Sequence, residues 1–366
     1  MKKIKNVAQK LFKKFFQFVF KLIYGNVIYD KDNLISSEIE IKEIKNGNIF
    51  NFFKKKYKIY KINNGRIYTD NVENVAVINK NKIIDNISYQ QILGNLVSAN
   101  QNICIKKGTP RIKRSFKGRV LSLAQGASGN SNYYHWLFDL LPKLKLYSKT
   151  YDFKDLDYLY TEKLKEWQLL SLTPIGLEKI DVIDTKKYRH IEADEIICTD
   201  HPSYYSGYIK QQSKNIPDWI VEWLRKTYIK SAKKFPCNNK VFIDRSSSLI
   251  KHCQFNNDEE ISNFLINKGF TKYKTEELNF FEQIYLFNNA RFIIGAHGAA
   301  FANLAFCEQG VKVIEIRPKN HTDSNYQRIS EINNLDYSLL TTSVIEKSNQ
   351  LNGDIHLNIE ELNKFL

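Results

Sequence analysis

Residues 292–303 read FIIGAHGAAFAN, and the reading of this stretch decides the fold. Large apolar residues stop at Gly295. From there Gly295, Ala296, Gly298, Ala299 and Ala300 are all small, with His297 among them. Phe292 to Ile294 show no polar alternation, as in a strand of a parallel sheet buried on both faces. Gly295 to Gly298 then form the turn at its carboxyl end, and residues 299–307 the helix that follows. In open α/β sheets ligands bind at that edge. The free N–H groups of a first helical turn, together with the helix dipole, favour an anion, most often phosphate. Small side chains let the backbone come close, and two glycines permit φ > 0. His297 offers a hydrogen bond to a phosphate or a sugar hydroxyl. The spacing is neither G-x-G-x-x-G nor G-x-x-x-x-G-K-[ST], so neither the dinucleotide nor the P-loop fingerprint applies. The plain alternative is a tight turn with close helix–sheet packing.

Two neighbouring strand ends favour a ligand. Glu315 lies at the end of VIEIR and is placed to accept hydrogen bonds from ribose hydroxyls. Arg245 closes VFIDR and suits a diphosphate clamp. One sheet edge then offers a helix N-terminus, a cation and a ribose acceptor, a set that suits a nucleoside diphosphate.

Around this stretch the pattern is βα alternation. KVFIDRS, RFIIG and VKVIEIRP read as strands, and DEEISNFLINKG and FFEQIYLFNNA as helices. Earlier, RVLSLAQ leads through a Gly/Ser loop, GASGNSN, into an amphipathic helix. LDYLYT, KIDVID and EIICTD then alternate with helical stretches such as EKLKEWQLLSL. Residues 38–90 read as short strands and turns: IEIKEI, YKIYKI, GRIYTD, VAVIN. DWIVEWLRKTYIKSAKKF reads as a helix able to bridge two halves. The chain has 366 residues and is 43% hydrophobic, enough for two domains with separate cores. We expect a helix at 1–24, one Rossmann-like domain at 25–205 and a second at 206–366, with a ligand cleft between them.

The helix YYHWLFDLLPKL carries a second polar group. His135 and Asp139 are four residues apart and share one face. Asn132 precedes the helix as its N-cap, and Pro142 predicts a kink or stop. Such a pair among Trp136, Leu137, Phe138, Leu140 and Leu141 reads either as a buried hydrogen-bonded pair or as a general base with its tuning partner.

Net charge is +16, which admits nucleic acid, an anionic membrane or phosphorylated substrates as partners. No RNA-binding aromatic signature or finger spacing appears, so nucleic acid is not expected. Cys104, Cys198, Cys237, Cys253 and Cys307 form no C-x-x-C pair and read as reduced thiols of a cytosolic protein. The opening segment, MKKIKNVAQKLFKKFFQFVFKLIYG, separates Lys10, Lys13, Lys14, Gln17 and Lys21 from Leu11, Phe12, Phe15, Phe16, Phe18, Val19, Leu22 and Ile23 on a helical wheel. Its apolar run is broken by lysines and is shorter than the ~20 residues of a membrane span. It has no uninterrupted apolar region or small-residue cleavage site of a signal peptide. It fits a helix lying in the interface of an anionic leaflet, at the inner face of the cytoplasmic membrane. The plain alternative is an amphipathic helix packed on its domain.

Taken together, NYYHWLFDLLP, FIDRS, FFEQIYLFNNARFIIGAHGAAFANLAF and VIEIRP resemble glycosyltransferase family 61, over roughly residues 118–320. The order and spacing of four motifs make the resemblance specific. It implies a GT-B-type fold of two Rossmann-like domains, with the donor bound mainly by the second. It implies inverting, metal-independent transfer from a nucleotide sugar; we expect no cofactor and a UDP-linked donor. Asn132, His135 and Asp139 fall on the family's N-x-x-H-x-x-x-D pattern on the acceptor side. Arg245, His297, Gly298, Asn303 and Glu315 fall on its donor-side positions, with Gly295 and Ala299 in the same turn. After Arg245, SSSLIKHCQFNNDEE lacks the second arginine and the Asn-Glu of the pattern. Asp139 is the preferred base with His135 as its partner, and the reverse assignment stays open. His297 reads as a donor contact rather than a base. The acceptor is a glycan or lipid-linked glycan of surface-polysaccharide synthesis, such as capsule or lipopolysaccharide.

Three rivals differ in what they require. A metal-dependent transferase would need a D-x-D at a strand end, whereas Asp155-Leu-Asp157 precedes DYLYT. A dehydrogenase would need the absent dinucleotide fingerprint. A basic membrane-associated scaffold or nucleic-acid binder would rest on charge alone.

Overall fold

A computed structural model describes residues 2–30, 37–44, 48–71, 74–124, 131–205, 207–246, 253–343 and 354–366. Most of the loop GASGNSN and residues 247–252 after Arg245 lie outside the described residues. The chain forms two compact units. One comprises Met1–Lys165 with Leu177–Ile209, the other Glu166–Gly176 with Lys210–Leu366.

The first unit opens with helix α1 (Lys2–Tyr24). Its main strands are β1 (Lys58–Asn71), β2 (Asn74–Asn79), β3 (Arg114–Ser122), β4 (Tyr158–Thr161), β5 (Asp181–Asp184) and β6 (His190–Thr199). They belong to a mixed sheet in the order β5-β4-β3-β6-β1-β2, extended by shorter strands. The pairs β5–β4, β4–β3 and β3–β6 are parallel. The pairs β6–β1 and β1–β2 are antiparallel. Only half of this unit is therefore the parallel layer expected from the βα alternation. The other half is a meander built from residues 38–97, whose short connections permit only antiparallel neighbours.

The sequence reads YKIYKI and GRIYTD as two strands around Asn63-Asn64-Gly65. They are one strand, β1. Asn64 takes φ 50° without ending the pairing. Tyr60 and Ile62 face the same core as Ile67, which has the opposite parity. A single irregular residue thus exchanges the two faces of the strand. In β6, Ile191 and Ala193 share that core with Ile196 and Cys198, and the register shifts between Ala193 and Glu195. The two strands change faces together, so the core stays continuous. Along β2, Val75 and Val77 enter this core while Ala76 and Ile78 enter a second one on the other face, with Val27 and Cys104.

The second unit holds β7 (Lys240–Ile243), β8 (Thr271–Tyr273), β9 (Phe292–Ala296), β10 (Lys312–Pro318) and β11 (Asp336–Thr342). All neighbours are parallel, in the order β8-β7-β9-β10-β11. This is the doubly wound order 2-1-3-4-5, whose direction of winding reverses between its first and third strands, here β7 and β9. Ligands of such sheets bind beyond the carboxyl ends at that reversal. Arg245 and the His297-Gly298 turn follow those two strands. The helix read from DWIVEWLRKTYIKSAKKF spans Asp218–Tyr228 and belongs to this unit.

Candidate functional site

In the first unit, α2 begins with Asn132, whose side chain accepts a hydrogen bond from His135 N at 3.2 Å. The helix runs over Tyr133–His135, widens to a π turn over Trp136–Leu140, and continues over Leu141–Tyr147. In the wide turn Leu141 N–H donates to Trp136 O, five residues back. Pro142 does not stop the helix. It sits in the first turn after the widening. Asp139 lies in the π turn and is 1% exposed.

His135 Nδ1 lies 2.6 Å from Asp139 Oδ2. Burial works against the Asp139 charge. The hydrogen bond with His135 and the pull of His201, His135 and Lys143 outweigh it and hold the carboxyl below its ordinary range. An ionised Asp139 fixes the His135 proton on Nδ1. That leaves Nε2 with a lone pair on a side chain 24% exposed.

Two partners of Asp139 escape the sequence reading. His201, in the loop after β6, is buried, and its Nδ1 accepts from Ser203 N at 3.2 Å and Tyr204 N at 3.0 Å. Its proton therefore sits on Nε2, 4.0 Å from Asp139 Oδ1. Burial pushes its pKa down to about 3, so it stays neutral. Lys143 is fully buried, donates to Leu123 O at 3.1 Å, and is pushed down to about 7 by burial, which the Asp139 charge only partly offsets. Its D-x-x-x-K spacing, one helical turn after Asp139, was a readable signal. No local pattern marks His201.

In the second unit, His297 Nδ1 is 2.5 Å from Glu315 Oε1, and Tyr337 OH donates to Glu315 Oε2 at 2.5 Å. Glu315 is 1% exposed, with Arg317 Nη1 3.9 Å away. Each carboxylate oxygen thus takes a hydrogen bond from a side chain of this unit. Glu315 fixes His297 as Asp139 fixes His135. The His297 ring lies 3.9 Å from that of His321 and 5.0 Å from that of Tyr326. Among the described residues, His297, His321 and Asp323 form the one group with ligand atoms close enough for a metal ion.

The two glycines earn their places by volume rather than by φ. Gly298 has φ 175°, ordinary extended backbone. A Cβ on Gly298 would collide with the Arg245 guanidinium. A Cβ on Gly295 would lie 2.9 Å from Ile243 Cβ, on the neighbouring strand. Strand β9 continues through Gly295 and Ala296, two residues further than the sequence suggests. The helix after it, Ala299–Phe306, is a 3-10 helix, with Phe301 N donating to Gly298 O. It is buried almost all round, so packing rather than propensity sets its pitch. Ala299 is its half-buried first residue. Asn303 is fully buried and donates to Gln283 Oε1 at 3.0 Å, bracing the helix out of a ligand's reach.

Arg245 is partly buried, and desolvation lowers its pKa. Both Arg245 and Arg317 act electrostatically on Cys253, whose thiol burial pushes up to about 12. Tyr326 feels both Arg245 and Glu315. Two arginines, two histidines and a buried carboxylate thus form one neighbourhood. Arg317, His321 and Asp323 were not picked out from the sequence, although Arg317 lies in the same strand as Glu315 and the other two soon after it. The D-x-D is structural: Asp157 Oδ2 accepts from Arg119 N at 2.6 Å, and Asp155 lies 3.5 Å from Arg119 Nη1.

The sequence model of the family Glycosyltransferase 61 matches residues 133–314, a stretch that holds His135, Asp139, Arg245, His297 and Gly298. The chain belongs to glycosyltransferase family 61. It is a glycosyltransferase, acting on a sugar donor and a glycan acceptor. The match ends one residue before Glu315 and begins one after Asn132, so both clusters of this family 61 enzyme fall at its ends. A search of curated proteins found no match.

Proposed function

We propose that this enzyme transfers a sugar, with inversion and without a metal, from a UDP-linked nucleotide sugar to a glycan or lipid-linked glycan in surface-polysaccharide synthesis. The observation that carries the reading is the His135–Asp139 bond at 2.6 Å, with the carboxylate buried and the histidine partly open. Inverting transfer is one in-line displacement at the anomeric carbon. It needs a base for the acceptor hydroxyl and stabilisation of the departing diphosphate.

We assign the base to His135 Nε2, reversing the preference drawn from sequence. Asp139 is buried and a weakened base. It is better suited to hold the imidazole and to stabilise the imidazolium once His135 has taken the proton. We assign the leaving diphosphate to Arg245, with Arg317 in place of the second arginine that the loop after Arg245 lacks, and with the backbone of residues 298–300. His297, oriented by Glu315 through Nδ1, presents Nε2 to the donor as an acceptor for a hydroxyl. Asn303 acts by bracing. The two units serve as acceptor and donor halves of a GT-B-type enzyme, a role favoured for the second unit by its 2-1-3-4-5 sheet. An exposed apolar stripe on α1, with Leu11, Phe15, Phe18 and Leu22 all at least 60% exposed, supports attachment to the inner face of the cytoplasmic membrane. Among the described residues, no helix is long and apolar enough to cross a membrane.

The group His297, His321 and Asp323 favours a second reading, in which a divalent ion meets the diphosphate. A thermal-shift screen of nucleotide sugars, followed by a hydrolysis assay on the best donor, tests the main reading. A UDP-sugar should raise the melting temperature and be turned over in EDTA. Stabilisation by RNA or DNA alone would refute the nucleotide-sugar assignment.

A further inference from the structure

The first unit contains a cavity of about 900 Å³ between α1 and the turn preceding β6. On the helix side it is lined by Phe12, Phe16 and Phe20. Seven lysines and arginines surround it, against one carboxylate, Asp70. Lys186 is paired with Glu162 at 3.0 Å, and Arg189 donates to the backbone of Asp70. Among the described residues, no carboxylate lies within ion-pairing distance of Lys13, Lys107, Arg111, Arg114 or Lys187. Five like charges without counter-charges around one hollow repel one another and create a strong positive potential.

Helix α1 gives this cavity its direction. Its carboxyl end is fastened to the unit. Tyr24 OH accepts from Lys113 N at 3.0 Å, the Tyr24 ring meets His190 edge-on at 4.9 Å, and Lys21 Nζ donates to Lys106 O at 2.9 Å. At 100° per residue, Leu11, Phe15, Phe18 and Leu22 fall within one narrow arc, while Phe16, Phe20 and Tyr24 lie well away from it, toward the unit. Phe18 is 60% exposed and Leu22 71%. A helix immersed by that arc to the depth of the acyl boundary brings a hollow on its flank to headgroup level.

We propose that this cavity holds the phosphate of an anionic membrane lipid, with the first carbons of its acyl chains against Phe12, Phe16 and Phe20. The proposal rests on the membrane reading above and adds a site for one lipid to it. Polyanion binding on charge alone would need neither the phenylalanines nor the hollow between them and the basic residues.

The test uses the full chain, an Arg111→Glu/Lys187→Glu variant, and a Lys226→Glu/Lys230→Glu control. All four positions are exposed, and both variants change net charge equally. Calorimetry with monomeric dihexanoyl-phosphatidylglycerol should give saturable one-to-one binding to wild type and control. The cavity variant should lose about tenfold or more, and dihexanoyl-phosphatidylcholine should not bind. Inorganic phosphate binding as tightly as the anionic lipid would overturn the lipid assignment, as would a single-stranded RNA displacing that lipid. Co-sedimentation with phosphatidylcholine vesicles, about one third of them phosphatidylglycerol in a second set, separates the two readings. If all three proteins sediment alike with anionic vesicles and none binds the short lipid, the cavity claim fails and the membrane reading survives. If wild type sediments with neither vesicle, both fail.

Discussion

Replacing His201 by glutamine should remove a defined part of the acid sensitivity of the first unit. The unfolded imidazole takes up a proton as pH falls through about 6.5, whereas the buried folded one resists protonation down to about 3. Stability present above pH 6.5 is therefore lost progressively below it. Between pH 7 and pH 5 the loss assigned to this one group is about 2 kcal/mol. His190 contributes in the same sense, because burial holds it near 4. Asp200 acts in the opposite sense, because burial raises it to about 6 and the folded form takes up its proton first. Both remain in the variant, so they cancel when the two proteins are compared. The assay is hydrogen exchange of β6, residues 190–199, at pH 5 and pH 7, which reports the opening free energy of the unit. His201→Gln should flatten the difference between the two pH values by about 2 kcal/mol. A difference unchanged to within about 0.5 kcal/mol would refute the buried, neutral state of His201.

Three further outcomes follow. Gly298→Ala should displace the Arg245 guanidinium and weaken nucleotide-sugar binding about tenfold or more, with the melting temperature little changed; wild-type affinity would show that Arg245 is not a donor contact. Glu315→Ala should destabilise the second unit by about 2–4 kcal/mol in urea unfolding, because it leaves His297 and the Tyr337 hydroxyl facing a buried void, whereas Glu315→Gln should cost less. Equal costs would mean that the two hydrogen bonds carry none of the effect. Turnover should survive EDTA, and loss restored by Mn²⁺ would assign His297, His321 and Asp323 to a metal.

The second unit was the more legible half. FIIG is wholly apolar, and VIEIR and VFIDR carry their charged residues within the last three positions, a pattern that fits parallel strands buried on both faces. The first unit was harder because Asn63-Asn64-Gly65 and Glu192 to Glu195 each interrupt a strand's alternation without ending the strand. A pattern reader sees two short strands where the irregularity only exchanges faces. The pairing of His135 with Asp139 could be read from spacing. Which of them is buried could not, and that difference moves the base from the carboxylate to the imidazole. Glu315 was picked out as a strand-end carboxylate suited to ribose; that its two oxygens also answer His297 and Tyr337, from separate segments, could not be read. His201 reaches Asp139 from a loop 62 positions further along the chain, a contact that no local pattern encodes.

The most direct test of the account is the turnover of His135→Gln beside its donor affinity, with Asp139→Asn measured in parallel. The base assignment predicts that His135→Gln lowers kcat by about 10²–10⁴-fold and leaves the donor dissociation constant unchanged. Asp139→Asn should lose less and shift the pH profile of kcat/KM, because it releases the histidine rather than replacing it. A His135→Gln enzyme that keeps more than about a tenth of its turnover, beside an inert Asp139→Asn, would contradict the account and return the base to the carboxylate.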